Sequence, residues 1–222
     1  MIKHFLSLIY TCFTYFIAPP YCLHCRQNIS DRKAFCQTCF SKILPIVPYD
    51  FCITPKKVVK VYALSAYKDP LRSLILSKHT GNETNIRFLA EIMSQDPILQ
   101  HLNYDFITFI PLHWTRYAAR GFNQAEIIAQ TISKKTGKMV IPLIIRSKKT
   151  QFQAKIALNE REANVFDAFK INPSCEHQII GKKILVVDDL FTTGATIKAV
   201  SLLLFPYNPK QIDLFVASRV IS

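Results

Sequence analysis

The chain has 222 residues, half of them hydrophobic and only five of them Gly, which argues against disorder and leaves ample material for a packed core. Twenty-eight Lys and Arg against fifteen Asp and Glu give a formal charge of +13; this favours polyanionic partners, although a merely soluble basic surface has the same signature. Of seven cysteines, four fall in two Cys-x-x-Cys pairs, and the odd total excludes a fully paired disulfide framework and fits a reducing compartment.

Phe5 to Ala18, behind Lys3 and His4, is apolar and aromatic and has the look of a signal peptide. It is short against the roughly 20 residues of a spanning helix. It is also interrupted by Ser7, Tyr10, Thr11, Thr14 and Tyr15, and runs into Ala18-Pro19-Pro20 without a small-x-small cleavage site. Residues 1–20 are therefore expected to form an uncleaved apolar helix, packed on the domain or on a partner. Membrane contact is at most peripheral, and the location is cytoplasmic.

Residues 21–55 carry Cys22, Cys25, Cys36 and Cys39 and leave through Pro45, Pro48 and Pro55. Ten residues separate the two pairs. Two such knuckles can place four thiolates tetrahedrally about Zn²⁺, with Arg26, Arg32 and Lys33 offsetting part of the charge. A redox dithiol needs only one pair. Zinc would be structural, holding a segment too small for its own core; contact with nucleic acid is the lesser alternative. Cys12, Cys52 and Cys175 read as packing or incidental residues.

From residue 56 to 222 the pattern is that of an α/β domain. Val58 to Tyr67 predicts a strand or hairpin arm. Asp69-Pro70 starts a helix with Leu71, Leu74, Ile75 and His79 on one face. A helix follows over Asn85 to Ser94, then a buried strand over Phe106 to Leu112. Phe122 to Lys135 predicts a helix with Ile127, Ile128 and Ile132 inward. Val140 to Ile145 and Lys182 to Asp188 predict buried strands, Ala195 to Phe205 a helix, and Gln211 to Ser218 the last strand. Strands alternating with helices imply a parallel sheet flanked by helices.

The strand Ile184-Leu185-Val186-Val187 delivers Asp188 and Asp189 at its carboxyl end, where parallel sheets bind ligands. Leu190-Phe191 then leads into Thr192-Thr193-Gly194-Ala195-Thr196 and a helix start. That turn offers amides, the positive dipole end and hydroxyl donors to a phosphate, with Gly194 permitting close approach. The paired acids can accept from vicinal ribose hydroxyls and help an Mg²⁺ shell. A second strand end leads into His113-Trp114-Thr115-Arg116-Tyr117-Ala118-Ala119-Arg120. There Arg116 and Arg120 share a helical face, suited to phosphate or pyrophosphate oxygens or simply a solvated basic helix start. His113 by itself reads as structural. Arg146-Ser147-Lys148-Lys149 forms a third basic stretch.

The loop from Val186 to Thr196 resembles the signature of the type I phosphoribosyltransferases. The resemblance implies that Asp188 and Asp189 hold the ribose hydroxyls of phosphoribosyl pyrophosphate, and that the turn from Thr192 to Thr196 holds its 5′-phosphate. It also implies that the segment from Arg146 and Lys148 onward is a mobile catalytic loop closing over pyrophosphate. Some salvage members carry an acidic base where this chain has Thr192. Nearly the whole chain is similar to the ComF competence family: the apolar N-terminus, the double Cys-x-x-Cys, Arg120-Gly121-Phe122-Asn123-Gln124-Ala125, Thr150/Gln153, Arg161/Asn164 and the final loop. Phe205-Pro206-Tyr207-Asn208-Pro209 departs from the Gly-Ala turn usual there. This resemblance implies a part in natural transformation, handling incoming single-stranded DNA beside competence-machinery proteins. A phosphoribosyltransferase of nucleotide salvage is the alternative.

Overall fold

A computed structural model describes residues 20–77, 81–146 and 168–221. The expected N-terminal helix, His79, Lys148, Lys149, Thr150/Gln153 and Arg161/Asn164 lie outside the described residues. Seven strands are described: β1 (Tyr49–Thr54), β2 (Lys57–Ala66), β3 (Phe106–Phe109), β4 (Ile144–Arg146), β5 (Phe169–Ile171), β6 (Lys183–Phe191) and β7 (Gln211–Arg219). The helices are α1 (Gln37–Phe40), α2 (Leu71–Leu76), α3 (Glu83–Ser94), α4 (Ile98–His101), α5 (Trp114–Arg120), α6 (Gln124–Thr136) and α7 (Ala195–Leu204).

The main sheet has the order β1-β2-β7-β6-β3. Every pairing from β2 to β3 is parallel, and β1 adds an antiparallel edge. The central strands are buried on both faces, as their continuous apolar runs require. Alternation along β6 sends Leu185 and Val187 into one core, with residues of α2, α3 and α6. It sends Ile184 and Val186 into the other, with α7 and the β4–β5 ribbon. The cysteine knob joins the first core through Cys22, Ala34, Phe35 and Cys39.

Most expected elements stand within a few residues of their place, with three differences. The run from Val140 to Ile145 is not one buried strand. Val140 makes a single parallel bridge to Ile107, and Ile144–Arg146 pairs antiparallel with β5 in a separate ribbon. Pro142 lies between them and, lacking an amide hydrogen, cannot extend a ladder. Second, β1 was not anticipated; it lies within residues 21–55 yet belongs to the main sheet. Third, β6 continues past Asp188 to Phe191, so both acids are strand residues. At the departure after α7, Asn208 takes the left-handed conformation (φ 50°), a position Asn tolerates.

Candidate functional site

At the end of β3, Ile110 N–H donates to the Val187 carbonyl at 3.1 Å, so the chain leaves the sheet beside the residue that precedes Asp188 in β6. Buried His113 caps α5: its Nδ1 lies 2.9 Å from Thr115 Oγ1 and accepts from Thr115 N–H at 3.3 Å. This is the structural role expected for it. Asn123 caps α6 by accepting from Ala125 N–H, and its amide donates to the Ile110 carbonyl at 3.1 Å, pinning α6 to the β3 exit. Arg116 and Arg120 are thereby held, half-buried, over the carboxyl end of the sheet.

Arg120 feels Asp189, and Arg146, at the end of β4, feels Asp188; Arg116 acts on both arginines. Burial is the largest influence on each, drawing the guanidinium below its ordinary pKa, with the Arg116 charge working the same way and the carboxylates opposing. Consecutive strand residues face opposite sides. Asp188 thus points to the side of β4 and α7, and Asp189, buried, to the side of α5 and α6. Asp188 also accepts from Asp189 N–H at 2.8 Å, fixing the pair locally. Arg146 packs its guanidinium 5.1 Å from the centre of the Phe169 ring across the ribbon. The structure so brings Arg116, Arg120, Arg146, Asp188 and Asp189, from three segments of sequence, to one strand end.

The turn after β6 leads into α7 with Gly194 at the N-cap in the left-handed conformation (φ 81°). Gly194 offers no side-chain acceptor to the first-turn amides, while Thr193 Oγ1 accepts from Ala195 N–H at 3.4 Å. Thr192 to Thr196, with Ile110 and Asp188, line a hollow of about 50 Å³. A Cβ at 194 would collide with the ring of Phe51, on β1, which is a reason for Gly at this position that the sequence did not offer. Sequence reasoning missed Phe51 and the aromatic group it forms with Tyr49 and Phe191. The alternation Tyr49, Phe51, Ile53 was the available signal. Lys182 and Lys183 lie at the opposite end of β6, about 16 Å of strand away from Asp188, and so share no patch with the arginines.

In the knob, the four Sγ atoms of Cys22, Cys25, Cys36 and Cys39 lie within 4.8 Å of one another, Cys25 and Cys36 at 3.7 Å. A tetrahedral zinc–thiolate centre needs sulfur–sulfur edges of about 3.8 Å. The donor set fits. Arg26 makes the first knuckle in the left-handed conformation (φ 65°). Burial disfavours the Cys22 thiolate, yet the amides of Cys25, Cys36 and His24 and the Cys25 thiol draw its pKa down to about 6. Burial and the thiols of Cys36, Cys25 and Cys22 push Cys39 up to about 12. Four thiolates in so small a volume would need a cation to offset their charge, and the cluster could hold zinc.

A parallel α/β sheet with flanking helices, acids at a strand end, a Gly turn into a helix and a four-cysteine module that could hold zinc define a phosphoribosyltransferase-type protein. The phosphoribosyl transferase domain model matches residues 84–220, and the chain belongs to that family. It is 24% identical to the DNA utilization protein YhgH of Salmonella typhimurium over 90% of each chain. It is 27% identical to Competence protein F of Haemophilus influenzae, covering 90% of this chain and 85% of that one. The resemblance to ComF competence proteins is borne out. A structure of glutamine phosphoribosylpyrophosphate amidotransferase from B. subtilis aligns with 59% of this chain and 25% of its own, at 15% identity and a TM-score of 0.40.

Proposed function

We propose that the protein binds phosphoribosyl pyrophosphate with Mg²⁺ at the carboxyl end of β6, and that it acts in natural transformation on incoming single-stranded DNA in the cytoplasm. The observation that carries this reading is the convergence of Arg116, Arg120 and Arg146 on Asp188 and Asp189, beside a Gly turn at a helix start. Guanidinium forks suit pyrophosphate oxygens, adjacent carboxylates suit ribose hydroxyls, and a helix N-terminus suits a phosphate. Mg²⁺, held through Asp188 and Asp189, would offset the pyrophosphate charge when bound.

The competence names of the relatives support the DNA part, as does α5. Its Trp114 and Tyr117 are 69% and 49% exposed beside Arg116 and Arg120. Exposed aromatic faces within a basic patch bind single strands by stacking and phosphate neutralisation. No helix among the described residues is long and apolar enough to cross a membrane. The four cysteines would hold a structural zinc ion.

Isothermal titration with phosphoribosyl pyrophosphate and Mg²⁺ tests the ligand. Wild type is expected to bind, and Asp189→Ala to lose a charge-assisted bond worth about 1.5–3 kcal/mol, or about ten- to a hundredfold in affinity. Absence of wild-type binding, or unchanged binding by the variant, refutes the assignment. The alternative of transfer to a nucleobase rests on the same arginines, placed to take up the charge of a leaving pyrophosphate. Pyrophosphate release on adding nucleobases tests it. Thr192, where some salvage members hold an acid, supplies no base.

A further inference from the structure

We infer that Phe51, on the antiparallel edge strand β1, is a positioning residue for the turn proposed to hold the 5′-phosphate. The inference rests on the phosphoribosyl pyrophosphate reading and names how the site is held in shape. Phe51 is half-buried and comes from outside the parallel sheet's own connections, yet its ring is the nearest neighbour of the space where a Gly194 side chain would stand. The closest ring atom is Cζ, so the tip of the ring abuts the Gly194 backbone. The same ring meets Phe191 edge-on, centroids 5.3 Å apart and planes at 83°. Phe191 is the last residue of β6 and Gly194 the N-cap of α7, so one side chain braces both ends of the turn Thr192-Thr193.

Tyr49, two residues back on the same face of β1, sits 6.3 Å from both Phe51 and Phe191 and carries the Arg219 guanidinium 4.8 Å from its ring centre. Arg219 pairs with Phe191 across β6 and β7 and reaches the Val47 carbonyl at 3.4 Å. The strand that bears Phe51 is thus tied on two sides before it reaches the turn. A phosphate turn binds by aligning successive amides on one anion, so displacing the turn spoils several hydrogen bonds at once.

Three variants and two ligands test the role. Phe51→Leu keeps an apolar brace. Phe51→Ala removes it. Phe51→Tyr adds a hydroxyl at Cζ, into Gly194. At a merely half-buried apolar position Tyr is the mildest of these changes; here it is expected to be among the worst. Relative to wild type, Ala and Tyr are expected to weaken both phosphoribosyl pyrophosphate and ribose 5-phosphate by about tenfold, and Leu by less than about threefold. Loss of both ligands in equal measure is the mark of a 5′-phosphate effect, since Arg116→Ala should weaken only the pyrophosphate-bearing ligand. Melting curves accompany each variant, and if Phe51→Ala does not fold, the order of Leu and Tyr decides. Equal affinities for Leu and Tyr, with wild type binding and Asp189→Ala weakened as expected, overturn the role of Phe51 alone. Failure of wild type to bind either ligand overturns the role together with the reading beneath it.

Discussion

Replacing Gly194 by Ala should cost more than any conformational argument about glycine allows, and Gly137 provides the measure of the difference. Both residues are left-handed, at φ 81° and 73°. A Cβ at Gly137 meets nothing within 4 Å, whereas one at Gly194 overlaps the Phe51 ring. Gly137→Ala should therefore lose only the left-handed strain, about 1 kcal/mol after the gain from a stiffer unfolded chain. Gly194→Ala pays that and must also displace the ring, weakening an aromatic pair worth about 0.5–1.5 kcal/mol and straining the packing, for a total of about 2–4 kcal/mol. At about 2–4 °C per kcal/mol for a chain of this size, the melting temperature should fall by about 2–4 °C for Gly137→Ala and by about 4–16 °C for Gly194→Ala. Scanning calorimetry without ligand reads both. The second site should improve in the Phe51→Leu background and the first should not. Equal shifts for the two glycines, or an effect of Gly194→Ala untouched by Phe51→Leu, would refute the reasoning.

Metal analysis of protein purified under reducing, chelator-free conditions should give close to one Zn²⁺ per chain, lost in Cys36→Ser; absence of zinc from wild type ends that assignment. Fluorescence anisotropy should show sequence-tolerant binding of single-stranded DNA that weakens with salt, by about 0.7 log units in affinity per log unit of salt for each phosphate contacted. Trp114→Ala should lower the affinity left at high salt, and binding indifferent to salt contradicts the electrostatic argument. Asp213 is buried in β7, and burial is the main cause of a carboxyl pKa above the ordinary range, with the Gln211 amide donating at 2.7 Å in partial opposition. The folded protein then holds this proton more tightly than the unfolded chain. The contribution is full below the ordinary carboxylate pKa and is lost as pH rises through the higher folded value. Asp213→Asn should flatten stability over that window, as urea melts at stepped pH would show; an unchanged slope counts against it.

The parts of the molecule that could be read from sequence are those whose signal is local. The four apolar residues after Lys183 have to be a buried strand, the Cys-x-x-Cys spacing has to make knuckles, and Asp-Asp before a Thr-Gly turn places carboxylates beside a helix start. What could not be read depends on partners distant in the chain. Ile144 to Arg146 looks like the end of an apolar run until Pro142 is given its weight, and its pairing with Phe169–Ile171 is invisible without the fold. The same topology decides that Arg146 faces Asp188 while Lys182 and Lys183 stand at the far end of the sheet. Tyr49 to Thr54 was obscured by flanking prolines. Its edge strand has one buried residue, Ile53, and so only a faint pattern.

That edge strand bears on how the molecule can be taken apart. A chain begun at residue 56 removes the cysteine knob, but it also strips β1 from β2 and leaves an unpaired row of backbone donors and acceptors open to other chains. Insolubility or lost ligand binding in such a truncation would report a bared sheet margin as readily as a missing metal. A cut ahead of Tyr49 keeps the margin covered. The knob and the sheet are therefore not interchangeable modules joined at a seam, because the segment that leaves the one is already woven into the other.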